Sequence, residues 1–116
     1  MLRHMCIILA YILQIGDSMA VYVDSEEIQW RGRSWCHLVA DSLDELHTFA
    51  ARLGLQRRWF QERSFYPHYD VTVSVRDRAL RIGAVDASRE TVIACCKLMR
   101  SELLQLRSDQ ACAVGA

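Results

Sequence analysis

The chain has 116 residues, 52% of them hydrophobic and 24% charged, and its 14 basic and 14 acidic side chains leave a formal net charge of zero. That length carries one hydrophobic core rather than two, and the composition is that of a globular chain and not of a disordered or fibrous one. The zero balance excludes whole-surface attraction to nucleic acid or to an anionic membrane, while leaving room for a local patch.

Residues 1–18 differ in character from the rest of the chain. Arg3 and His4 precede an uncharged run, Met5 to Ile15, that is too short to span a bilayer, so no stable membrane insertion is expected. The run has the length of a signal-peptide core, and Ser18 and Ala20 are small residues at the spacing a signal peptidase reads. Met19, however, stands directly before the first strand. The reading adopted is an N-terminal extension or early start at 1–18, then a single domain at 19–107.

The first strand covers about 20–24, with Val21 and Val23 on one side and Tyr22 and Asp24 on the other. A polar loop runs from Ser25 to Ser34. In Trp35 to Ala40, Trp35, His37 and Val39 share one face and Cys36, Leu38 and Ala40 the other, both mainly apolar, as in a strand covered on both sides. Asp41 and Ser42 offer N-cap oxygens, and Glu45 stands at capping-box distance from Ser42. Leu43, Leu46, Phe49, Ala50 and Leu53 repeat at helical spacing before Gly54, which predicts a helix over 42–53. His47 falls at the border of that apolar stripe.

From Gln56 to Pro67 the chain reads as a loop that interleaves Arg57, Arg58 and Arg63 with Trp59, Phe60, Phe65 and Tyr66. Such a loop either stacks on single-stranded nucleic acid or pins itself to the core with its aromatics. His68 to Val73 alternates as a third strand, with His68, Asp70 and Thr72 on one face. Ser74 and Asp77 mark the start of a short helix over 75–82 that ends at Gly83. Between Arg52 and Arg81, seven Arg outnumber Glu62, Asp70 and Asp77, a local positive surplus. The chain holds thirteen Arg and one Lys, a bias that suits anion binding but that a GC-rich genome also produces.

The last helix is predicted over 88–106. Val92, Cys96, Met99, Leu103 and Leu106 repeat at heptad spacing, and Ile93, Cys95, Leu98 and Leu104 widen the stripe. This favours docking on its own domain, with a homodimer through 92–106 as the other use of the stripe. The tail 108–116 is expected to be disordered. The five cysteines, Cys6, Cys36, Cys95, Cys96 and Cys112, form no disulfide framework and no C-x-x-C pair, which points to a reducing, cytoplasmic setting. These elements make one α+β domain: a small three-stranded sheet packed by three helices, with strand order open.

Chemistry can sit where polar groups share strand faces. If the three strands join one sheet with those faces together, Asp24, His37, His68 and Asp70 converge. Two imidazoles and two carboxylates suit a divalent metal ion with an open position, or, with no metal, a general acid and base built from His37, His68 and Asp70. Arg57, Arg58, Arg76 and Trp59 are the candidate contacts to a phosphate-bearing ligand or nucleic acid. The plainer alternative is a satisfied core histidine at His37 and a solvated edge at His68 and Asp70. No P-loop, H-E-x-x-H, G-x-S-x-G or Rossmann glycine pattern is present.

Met19 to Asp24, Trp35 to Asp41, Glu45-Leu46-His47, Leu53-Gly54, Arg58 to Gln61, His68-Tyr69-Asp70 and Gly83 to Val85, taken in order, resemble a small bacterial and phage family known as domain of unknown function 4031. The resemblance covers about Met19 to Val85. It implies that the domain begins at Met19 and that Asp24, Cys36, His37, His47, His68 and Asp70 fall at family-motif positions. Ser25-Glu26-Glu27 departs from an expected second Asp, and Val75-Arg76 from a more usual Lys-Arg pair. The resemblance implies no particular activity and leaves open whether the protein is an enzyme. Two readings are consistent with these residues: a domain that binds a phosphate-bearing ligand or nucleic acid at a His/Asp centre, or a non-enzymatic interaction adaptor or inhibitor acting through loop 57–66 or the last helix.

Overall fold

A computed structural model of the chain describes residues 20–115; the expectations for residues 1–18 lie outside them. In chain order the elements are β1 (Val21–Val23), β2 (Ile28–Trp30), β3 (Arg33–Ala40), α1 (Leu43–Arg52), a 3-10 turn (Arg57–Trp59), β4 (Tyr69–Thr72), α2 (Val73–Arg81), β5 (Val85–Asp86) and α3 (Arg89–Gly115).

The sheet has five strands where the sequence predicts three. Strand β3 is its centre. Trp35 pairs with Ile28 of β2 and with Thr72 of β4, and Leu38 pairs with Val23 of β1 and with Tyr69 of β4. A strand has two edges, so β1 and β2 lie end to end along one edge of β3 and antiparallel β4 runs along the other. Strand β5 joins the outer edge of β1 in parallel, and α2 makes the crossover from β4 that such a pairing requires.

The two additional strands are short and exposed. In β2 all three side chains face solvent, so no alternation of polar and apolar residues marks it. Its register is set by a two-residue turn in which Arg31 and Gly32 both have positive φ, 50° and 74°, the geometry whose twist matches a hairpin. Strand β5 is two residues long, below the reach of periodicity.

Helix α1 starts and stops as its sequence dictates. Ser42 Oγ accepts from the Glu45 N–H, and Leu55 N–H returns to the Ala50 carbonyl past Gly54 at φ 84°. Glu102 of α3 adds a cap from outside, accepting from the Leu43 N–H at 2.8 Å. Helix α2 begins two residues earlier than predicted: Thr72, the last residue of β4, is its N-cap and accepts from the Val75 N–H, so strand turns into helix with no loop.

The helices cover both faces of the sheet. His47 of α1 bonds to the Tyr69 hydroxyl on the face shared by Cys36, Leu38 and Val71, and Arg78 of α2 bonds to the Leu53 carbonyl beside α1. Helix α3 takes the other face, that of His37 and Val39, where the Cys96 thiol reaches the Pro67 carbonyl. Val92, Cys95, Cys96, Met99 and Leu103 are buried there. Most of the heptad stripe is therefore used inside the domain, while Leu98, Leu104 and Leu106 remain exposed. Residues 108–115, expected to be disordered, continue α3 as helix. No helix among the described residues is long and apolar enough to cross a membrane.

Candidate functional site

Strand pairing breaks after β1 in a way that builds the site. Two residues that pair with hydrogen bonds in an antiparallel ladder normally exchange both backbone bonds. Asp24 N–H donates to the His37 carbonyl at 3.2 Å, but the return bond from His37 N–H goes to the Asp24 carboxylate, at 2.8 Å, and not to its carbonyl. The freed Asp24 carbonyl instead accepts from Arg76 Nε at 2.6 Å. Arg76 Nη2 continues to Asp86 at 2.9 Å, so one guanidinium ties α2 to the ends of β1 and β5.

The second Asp24 oxygen lies 2.7 Å from His37 Nδ1. Burial acts to raise the Asp24 pKa, but the hydrogen bonds from the His37 ring and N–H outweigh it and hold the carboxyl below its ordinary range. The same hydrogen bond raises the pKa of His37 against the effect of its own burial. A carboxylate only accepts, so Nδ1 carries the proton and the neutral ring presents its Nε2 lone pair outward.

His37 pairs across the strands with Asp70, placing both on one face with His68 two residues before Asp70. The His37 and His68 rings meet edge to face, centroids 4.9 Å apart. His68 Nδ1 is held by the Tyr66 carbonyl, which also only accepts, so its Nε2 lone pair faces the Asp70 carboxylate at 3.1 Å. One donor atom each from His37, His68 and Asp70 lie within 4.8 Å of one another. Lone pairs from three groups converge, and a proton or a cation between them reconciles the arrangement. Around zinc, with Zn–N near 2.0–2.1 Å, the three would draw in by roughly an ångström.

A cavity of about 270 Å³ opens onto the two imidazoles. Glu26, Ser64 and Tyr66 border it from the loops, and Arg89, Val92, Ile93 and Cys96 from α3. Glu26 and Arg89 are not among the sequence-predicted site residues. Arg89, Val92 and Cys96 are spaced i, i+3, i+7, which extends the docked stripe of α3 to Arg89 and was the available signal.

The other candidates lie apart. Arg57, Arg58 and Trp59 form the 3-10 turn, do not border this cavity, and Trp59 is exposed. Arg76 is only 15% exposed and committed to Asp24 and Asp86, so its place is structural. Arg78 is likewise tied to Leu53, which disperses the positive surplus of residues 52–81. His47 sits on the opposite face of the sheet, its ring edge-on to Phe60 at 4.7 Å, and burial, with Arg57 nearby, lowers its pKa to about 4. Cys36 is buried on that opposite face as well.

Residues 21–99 match the family described as "Protein of unknown function (DUF4031)". The chain belongs to this family. The match takes in the first turns of α3, beyond the Val85 limit read from the sequence, and so includes Arg89 and Cys96 along with every residue of the His/Asp cluster. Neither a curated protein nor a solved structure matches the chain.

Proposed function

We propose that this DUF4031 domain binds one divalent transition-metal ion through His37, His68 and Asp70, with Asp24 orienting His37, and uses it to handle a phosphate-bearing ligand. The observation that carries the reading is the pair of ring nitrogens: both Nδ1 atoms face acceptors, which leaves both Nε2 lone pairs free for a cation, and His68 Nε2 lies 3.1 Å from Asp70. Metal-binding histidines are held this way, with the far nitrogen donating to a carboxylate or a carbonyl.

Two imidazoles and one carboxylate suit zinc, iron, manganese or cobalt better than calcium or magnesium, which favour all-oxygen sites. Three protein ligands leave a position for water or for a ligand oxygen, the setting of metal-assisted hydrolysis. A nucleic-acid strand is less favoured, because the Arg and aromatic turn at 57–59 lies away from the cavity. The second reading, a protein-interaction adaptor, has the exposed Leu98, Leu104 and Leu106 of α3 in its favour.

Metal analysis of protein purified without a tag tests the first reading. It predicts one ion per chain, lost in His68→Ala with the fold intact; a metal-free wild type that stays empty when offered zinc, cobalt or manganese would remove it.

A further inference from the structure

We infer that the ligand of this cavity is a small organic molecule ending in a phosphate group, held between the metal ion and Arg89. The inference rests on the metal reading above and adds the second anchor and the ligand class.

Arg89 borders the cavity from α3, facing the wall that carries His37 and His68, and makes no ion pair among the described residues. It lies on the same side of α3 as Val92, Ile93 and Cys96, all of which line the cavity. A guanidinium there has its fork of donors available for a tetrahedral oxyanion. Ser64 and Tyr66 bring further polar groups to the rim, while Ile28, Val92 and Ile93 give an apolar surface for an organic group.

Charge decides when such an anion can enter. Asp24 and Glu26 of the lining, with Asp70 beside His68, outnumber Arg89 by two negative charges, so the metal-free cavity repels a phosphate. A divalent cation cancels that excess and offers its open position to a phosphate oxygen. Size limits the ligand too: at about 270 Å³ the cavity falls just below the roughly 300–1,000 Å³ of sites that enclose whole drug-sized molecules. It accommodates a terminal phosphate with its nearest organic atoms, not a run of nucleotides.

Calorimetric titration of the full chain with phenyl phosphate, with and without one equivalent of zinc, tests this. Saturable binding is expected only with zinc. Arg89→Gln should weaken it about tenfold or more, as loss of a charge-assisted contact does, while zinc affinity and the behaviour of Arg58→Gln stay as in the wild type. Equal binding by Arg89→Gln, equal binding without metal, or no binding to the zinc-loaded protein would each overturn the inference. An oligonucleotide with no terminal phosphate that competes as well as phenyl phosphate would overturn the ligand class. A chain that takes up no zinc defeats the metal reading itself, and this inference with it.

Discussion

The Asp24 carboxylate takes both the backbone N–H and the ring Nδ1 of His37, at 2.8 and 2.7 Å, and so stands in for a ladder bond while it sets the histidine's tautomer. Its own carbonyl, freed from the ladder, is held by Arg76.

Asp24→Asn separates the two roles. The amide oxygen can still accept from one His37 donor, but the amide nitrogen turned toward Nδ1 favours the wrong tautomer. Metal affinity should fall about 10- to 100-fold, the usual cost of losing such a partner. Urea denaturation of the metal-free protein should show a loss of about 1–3 kcal/mol for the buried group left poorly matched. An unchanged metal affinity would deny Asp24 its orienting role.

Arg76→Met should destabilise the fold by about 1–3 kcal/mol, chiefly through the Asp24 carbonyl left without a donor, since Asp86 is 66% exposed and its ion pair is screened by solvent. Arg76→Lys should rescue little, because one ammonium cannot reproduce the Nε and Nη2 contacts together. Chemical denaturation of both variants checks this.

His47 makes stability depend on pH. Its folded pKa of about 4 lies below the ordinary 6.5, so between those values the unfolded chain binds a proton that the folded chain does not. The His47 contribution is therefore fully present above pH 6.5 and is lost as pH falls toward 4. His47→Gln can accept from the Tyr69 hydroxyl but does not titrate, so the stability difference between wild type and variant should shift in the variant's favour as pH falls through that window. Parallel curves for the two proteins would contradict this assignment.

Helix α3 belongs to the core by the same accounting of buried groups. Met99 is fully buried, and Met99→Ala should cost about 2–5 kcal/mol. Removing the cap that α3 lends to α1, in Glu102→Ala, should cost about 1 kcal/mol. Thermal unfolding of the two variants measures both.

Much of this was legible in the residues. The alternation of Trp35 to Ala40 and of His68 to Thr72 assigned His37 and Asp70 each to a strand face, and the cross-strand register joined them on one face. Ser42, Glu45 and Gly54 marked both ends of α1 because caps are local chemistry. What lay hidden depends on contacts distant in sequence. The use of Arg76 is set by the freed Asp24 carbonyl 52 residues away, which no local pattern records. Glu26 sits in an irregular segment, where no periodicity says which way a side chain points. Arg89 is in step with Val92 and Cys96, but what that side of α3 meets is settled only when α3 is laid across the His37 face.

Chelator-competition titration of zinc into the tag-free protein tests the convergence of His37, His68 and Asp70 most directly. One site per chain is expected, with His37→Ala, His68→Ala and Asp70→Ala each weakening it by more than Asp24→Asn does, and His47→Gln leaving it unchanged. A wild type that binds zinc no more tightly than the variant lacking all three side chains would contradict it.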